Sequence, residues 1–396
     1  MPVKVLIVDD SGFFRQRIND FLSNDNRLEV IGTASNGREA VELTKQLKPD
    51  VVTMDVEMPL LNGIDAVRII MRDNPTNVLM LSSLTHEGAQ VTLQALEAGA
   101  ADYLTKDIRS WINKSNAMQN TLVERVVALG KSRGGRYRSP AFTTKPLKAG
   151  ATSSIHSFGA ATPAVHSKRV EAKSAGLPSA RASVDLKAAL QTRSSLVKRA
   201  SHAASFPSSC KLIVIGSSTG GPAALQTILT ALPASFPYPI LLVQHMPKTF
   251  TSVFASRLNQ QCAIEVKEAE DGDRFKAGRA LLVPGGQQVM IESRQPDRVK
   301  ILPGDERLTY RPSVDIAYAA AAKTYGNKVL AVILTGMGAD GAEGARLLKQ
   351  AGAVMWAQNE ASCTIYGMPQ AVVKAGLADD VLDLNDISRL LMSGGK

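Results

Sequence analysis

Serine, histidine and aspartate in the C-terminal half of the chain each follow an apolar run. VIGSSTGGPAAL (214–225) sets Ser217 and Ser218 between the run KLIVIG and a helix-like segment. PILLVQH ends in His245, the only histidine after residue 202, and KVLAVILTGMGADGA carries Asp340 on a glycine-rich turn. If the three runs are strands of one sheet, an imidazole can take a serine proton while a carboxylate orients the ring. Amides at the helix starts can then stabilise an oxyanion. Spacing alone leaves the nucleophile open between Ser217 and Ser218, and Asp315 in RPSVD competes with Asp340 for the place of the acid.

Other readings of the serine turn fit less well. A Walker loop needs Gly-Lys-Ser/Thr at its end, and no lysine stands there. A dinucleotide fingerprint needs GxGxxG and an acid after the next strand; the glycines here are Gly216, Gly220 and Gly221, and that strand ends in Gln244-His245. A GxSxG elbow is missing and the order Ser, His, Asp is not that of α/β-hydrolases, which disfavours an ordinary esterase or lipase. The bland alternative is a tight strand-to-helix connection without chemistry.

The N-terminal third carries a different set. Asp9 and Asp10 close the run VLIV, Asp55 closes VVTM, Ser82 and Ser83 close VLML, and Lys106 follows DYLT. Three carboxylates on one rim repel one another unless a cation joins them, and oxygen ligands with room for water suit Mg²⁺. A lysine and a hydroxyl nearby would stabilise a phosphoryl group on one carboxylate.

Both sets need the same kind of scaffold. Apolar runs at 5–8, 28–32, 51–54, 78–81 and 102–105 alternate with helical patterns such as NGREAVELTKQLK, where Asn36 can cap and Pro49 follows the end. A second alternation starts at Lys211, with strands in KLIVIG, PILLVQH, ALLVP, KVLAVILTG and AVMWAQ. Its helices are PAALQTILTALP, a stretch from about Phe250, SVDIAYAAAAKTYG and DGAEGARLLKQAG. The predicted fold class is therefore α/β, with two doubly wound parallel-sheet domains whose sites lie outside the carboxyl ends of the strands.

Composition bounds the rest. The chain has 396 residues and 44% hydrophobic residues, enough for two or three cores. No apolar run reaches the roughly 18 to 20 residues of a membrane span, and MPVKVLIVDDSG reads as a strand, not a signal sequence. Cys210, Cys262 and Cys363 form no CxxC pair, which suits a reducing cytoplasm. The net charge of +10 is local: residues 131–209 hold fourteen Lys or Arg against Glu171 and Asp185, leaving the remainder near neutral. That segment, rich in Ser, Ala and Pro, is expected to be a long flexible linker, with a short helix within 183–199 as an option. A nucleic-acid partner is not expected, because the second half is near neutral and shows no helix-turn-helix pattern.

The motifs also carry a resemblance. VLIVDDSGFFR, TMDVEMPLLNGID, LMLSS and DYLTKD resemble a response-regulator receiver domain over about residues 1–125, of flavodoxin-like fold. The resemblance implies that Asp55 accepts phosphate from a chemotaxis histidine kinase. It further implies Mg²⁺ binding by Asp10, Asp55 and the Glu57 backbone carbonyl, with Asp9 as supporting acid. Lys106, Ser82 and Tyr103 would be the phosphoryl-contact and switch residues; Asp107 stands where a proline is more usual. IGSSTGGPAAL, VQHMPKTFT, ALLVPGG, YRPSVD, LTGMGADGA and ASCTIYGMPQA, in that order, resemble the catalytic domain of chemotaxis protein-glutamate methylesterases. That resemblance covers about 209–392 and implies nucleophile Ser218, base His245 and acid Asp340, with Thr219 and Met337 as oxyanion-hole candidates. Methylated chemoreceptors would be the substrate, some receptor glutamines would be deamidated, and the ester chemistry would need no metal. The implied domains are a receiver (1–125), a basic linker (126–208) and a larger α/β methylesterase domain (209–396). An unphosphorylated receiver would pack over the active site, and a linker this long would weaken that contact by lowering effective concentration.

Overall fold

Strands buried on both faces explain the run-like apolar segments at the front of the chain. In VVTMD and NVLMLS every residue is buried, as expected of parallel strands covered by helices on either side. The computed structural model describes residues 1–106, 111, 116–132, 204–292, 294–305 and 307–394. Asp107, the body of the basic segment and the helix considered within 183–199 lie outside the described residues.

The first domain is a five-stranded parallel sheet of β1 (Val3–Val8), β2 (Leu28–Ala34), β3 (Val51–Asp55), β4 (Asn77–Ser82) and β5 (Asp102–Thr105), in the order β2-β1-β3-β4-β5. Helices α1 (Gly12–Ser23), α2 (Gly37–Leu47), α3 (Gly63–Asp73) and α4 (His86–Glu97) connect them. Asn36 caps α2, its side chain accepting from the Glu39 amide at 3.0 Å, as its position before the helical pattern predicts. Helix α5 (Asn116–Lys131) packs on α1 and β1 and ends beyond residue 125, so the first domain's last helix runs into the stretch read as linker.

The second domain is a seven-stranded parallel sheet in the order β14-β13-β12-β6-β7-β9-β8, with β9 spanning Arg279–Leu282. At its centre lie β6 (Leu212–Ser217), β7 (Ile240–Gln244) and β12 (Val329–Ile333), with β13 (Val354–Gln358) beside β12. Helices α6 (Gly221–Ala231), α7 (Lys248–Gln261), α8 (Val314–Tyr325) and α9 (Ala342–Gln350) cover it. Helix α7 starts at Lys248, a little before the expected Phe250.

The sequence patterns missed β8 (Glu265–Glu268), β14 (Asp380–Leu382) and the antiparallel pair β10 (Gln287–Ile291) and β11 (Val299–Pro303). Beyond β13, helices α10 (Met368–Lys374) and α11 (Leu384–Gly394) complete the fold. The missed strands are short and mixed in polarity, as the burial of EVKE at the sheet edge illustrates. The two domains belong to one compact unit, in which α4 packs against α7.

In each sheet the chain leaves the first strand on one side and returns on the other. The reversal falls between β1 and β3 in the first domain and between β6 and β12 in the second. Such switch points open a crevice at the carboxyl ends of the strands. Asp9, Asp10 and Asp55 stand at one; Ser218 and the turn after β12 stand at the other.

Candidate active site

Strand β6 ends in two serines with different fates. Ser217 is fully buried and its hydroxyl donates to Gln244 Oε1 at 2.6 Å. Ser218 is half-buried, its amide bonds the Thr335 carbonyl at 3.0 Å, and its hydroxyl makes no hydrogen bond among the described residues. Gln244 holds the turn from the other side, donating to the carbonyls of Ser218 and His245, each at 3.0 Å. Gly220 then takes a left-handed conformation (φ 75°) that lets the chain turn at once into α6. Of the two candidate nucleophiles, only Ser218 faces the cavity described below.

The competing acids separate as cleanly. His245 Nε2 lies 2.7 Å from Asp340 Oδ2. Asp340 also accepts from the Ser313 hydroxyl (2.9 Å) and from the amides of Val314 (2.7 Å) and Asp315 (3.0 Å), which form the start of α8. Asp315 instead accepts from the amides of Gly341 (2.9 Å) and Gly344 (2.7 Å) at the start of α9. Each aspartate thus caps the helix that carries or follows the other. Burial pushes the Asp340 carboxyl up, but the His245 bond and charge and the two amides outweigh it and hold the group below the usual carboxylate range. An ionised Asp340 can only accept, so the Nε2 side carries the proton and Nδ1 keeps its lone pair.

Ser218, Thr219, His245, Tyr310 and Met337 line a cavity of about 660 Å³. The amides of Thr219 and Met337 have no partner among the described residues. The first domain contributes part of the wall, including Asp102, Tyr103 and Arg125. Thr219 Oγ1 donates to Asp102 Oδ2 at 2.7 Å, an oxygen that also receives Arg125 Nη1 at 2.7 Å. Tyr103 stacks on Phe250 of α7 with centroids 4.7 Å apart. Farther out, Glu97 of α4 receives both Nε and Nη2 of Arg257 and the side-chain amides of Gln226 and Gln261.

At the other switch point, oxygens of Asp9, Asp10 and Asp55 lie within 4.8 Å of one another. Lys106 Nζ bridges Asp9 (2.6 Å) and Asp55 (2.8 Å). Burial raises the Asp55 carboxyl, Lys106 lowers it and Asp9 raises it again, leaving it at about 6. Glu57 and Ser82 line the same hollow, but the Ser82 hydroxyl donates to the Gly88 carbonyl (3.2 Å) and accepts from Thr92 (2.5 Å), both in α4. An all-oxygen donor set with one exposed carboxylate fits Mg²⁺.

The family model for CheB methylesterase matches residues 213–391, and that for the response regulator receiver domain matches residues 5–111. The chain is 52% identical over 412 residues to a protein-glutamate methylesterase/protein-glutamine glutaminase of Pseudomonas savastanoi pv. phaseolicola, with 99% of each chain covered. A Pseudomonas aeruginosa protein of the same description is 52% identical over 392 residues, again with 99% of each covered. The chain belongs to the CheB methylesterase family. Among solved structures, the Thermotoga maritima CheB methylesterase catalytic domain is 41% identical; the match covers 46% of this chain and 98% of that one, with a TM-score of 0.44.

In this CheB-family chain, two of the expected triad residues, His245 and Asp340, are hydrogen-bonded, and the third, Ser218, lines the same cavity as His245 without a hydrogen bond to it. Four contributors to the site escaped the sequence reading: Gln244, Gln288, Tyr310 and Ser313. Ser313 had a signal, since it precedes a helix in SVDIAYAAAAKTYG and caps it. Gln244 had a weaker one, as a polar residue ending an apolar strand beside His245.

Proposed function

We propose that the chain hydrolyses γ-methyl esters of glutamate on chemoreceptors, with Ser218 as nucleophile, His245 as general base and Asp340 as the orienting acid. The observation that carries this reading is the 2.7 Å His245–Asp340 pair, whose histidine lines the same cavity as Ser218. His245 Nδ1 takes the Ser218 proton as Oγ bonds the ester carbonyl carbon. The carbonyl oxygen becomes an oxyanion facing the free amides of Thr219 and Met337. The imidazolium returns the proton to the methoxy oxygen as the C–O bond breaks, and methanol leaves. Water, deprotonated by the same nitrogen, then releases glutamate and restores the serine. A glutamine amide enters the same path with ammonia as the leaving group.

The first domain supplies control of access in the cytoplasm, where the chain is proposed to act. Asp55 accepts a phosphoryl group from a chemotaxis histidine kinase. Asp10, Asp55 and the Glu57 carbonyl would hold Mg²⁺, which supplies charge neutralisation at the phosphoryl oxygens. Lys106 stabilises the same oxygens, and Ser82 and Tyr103 carry the change to the domain contact. Asp102, next to Tyr103, reaches the residue after the nucleophile, so a receiver in this position covers the site it regulates.

Methanol release from methylated receptor membranes tests the assignment. Ser218→Ala should lose at least about a thousandfold in rate, and Ser217→Ala should keep a measurable one. Wild-type turnover by Ser218→Ala would remove Ser218 from the mechanism.

A further inference from the structure

A single hydrogen bond fixes the distance between a ring nitrogen and its partner but leaves the ring free to swing about the bond. Among the described residues the His245 ring has one such bond, to Asp340. Its plane is set elsewhere: the Tyr310 ring lies flat on the imidazole, with centroids 4.4 Å apart and planes 8° from parallel. We propose that Tyr310 is a positioning residue for His245, holding the imidazole in the one orientation that keeps Nε2 on Asp340 while Ser218 gives up its proton.

Tyr310 is itself held. Its carbonyl accepts from Gln288 Nε2 at 2.7 Å, and Gln288 Oε1 accepts from the Ser313 amide at 2.8 Å. Gln288 is buried on β10. One glutamine side chain therefore sets both the ring that covers the base and, through Ser313, the helix start that holds Asp340. The tyrosine hydroxyl has no hydrogen-bond partner among the described residues, so the role belongs to the ring face. Gly338 leaves room for that hydroxyl, since a Cβ there would come within 2.7 Å of it. An aromatic face also favours the imidazolium that forms once the proton is taken.

The inference rests on His245 being the base, and the test separates the two. Full-length protein is assayed with Mg²⁺ and a small-molecule phosphodonor for methanol release from receptor membranes carrying methyl esters. Tyr310→Leu should lower kcat on the order of tenfold with KM within about twofold, and Tyr310→Phe should restore most of the rate. Wild-type kcat in Tyr310→Leu overturns the inference. So does a loss confined to KM, which would make the ring a substrate-binding wall, or a Phe variant as impaired as Leu, which would shift the role to the hydroxyl. If Tyr310→Leu does not fold, Tyr310→Met carries the same test. Ser218→Ala and His245→Ala run alongside: if both stay active, the triad reading fails; if both are inactive while Tyr310→Leu is not, only the positioning role fails.

Discussion

Asp340 and Asp55 stand at the carboxyl rims of two parallel sheets, both buried, at 4% and 9% exposure. Asp340 is held below the usual carboxylate range and Asp55 rises to about 6. Burial pushes both upward, so the difference lies in what answers it. Around Asp340 the answer is fixed: two amides and a hydroxyl at the start of α8, and the His245 ring. Around Asp55 one amide, that of Val56, and the shared Lys106 must offset both burial and the neighbouring Asp9. Fixed dipoles make an acid that stays charged through a reaction cycle. An under-compensated acid gains from an arriving cation, which is the behaviour a phosphate acceptor needs.

Replacing each acid by its amide should sharpen this contrast, with the larger effect at Asp340. Asp340→Asn removes the only side chain among the described residues that accepts from His245 and can present a donor in its place, favouring the wrong tautomer. Its kcat should fall on the order of 10³- to 10⁴-fold. A loss below about tenfold would mean that the imidazole is oriented mainly by other groups. Asp55→Asn should instead stabilise the fold. The folded pKa lies above the unfolded one, so the charged carboxylate costs stability at neutral pH, and that cost disappears as the group protonates. Urea unfolding in EDTA should show the Asn variant more stable by about 3 kcal/mol near pH 7.5, by the size of the upward shift. The gap should close as pH falls from about 6 towards about 4. A constant gap across that range would detach the effect from Asp55 ionisation.

Much of this contrast was legible in the sequence, and its limits have physical causes. A buried parallel strand is written as a continuous apolar run, so the residue that ends it is easy to place; this brought Asp55, Ser218, His245 and the Asp340 turn to the right rims. Which serine faces the cavity is a matter of the strand's twofold alternation at its last residue, and spacing left that open. Ser217 points to Gln244 and Ser218 to the cavity. The choice between Asp315 and Asp340 was hidden because the two acids exchange caps across α8 and α9, a relation between elements about 25 residues apart with no local pattern. Tyr310 and Gln288 act through a ring face and a side-chain amide from an irregular segment and a short strand, where periodicity carries no signal. The edge strands β8 and β14 were missed for the same reason.

Glu97 offers the mildest test, because it is a carboxylate of a third kind. Burial pushes it up, but Arg257, followed by Gln261 and Gln226, holds it below the usual range. Unlike Asp340, it is answered by long side chains from the other domain and remains about a quarter exposed. A partly exposed ion pair of this sort contributes at most about 1 kcal/mol. Glu97→Gln should therefore shift the covered-to-open balance only slightly, raising unphosphorylated methylesterase activity about two- to fivefold. The phosphorylated protein, whose contact the proposed control would already have released, should be unchanged. An equal rise in both states would mean that Glu97 acts on catalysis and not on the contact. No rise in either would make the pair a solvated surface contact and leave Asp102, buried and bonded to Thr219, as the carboxylate through which the receiver holds the site.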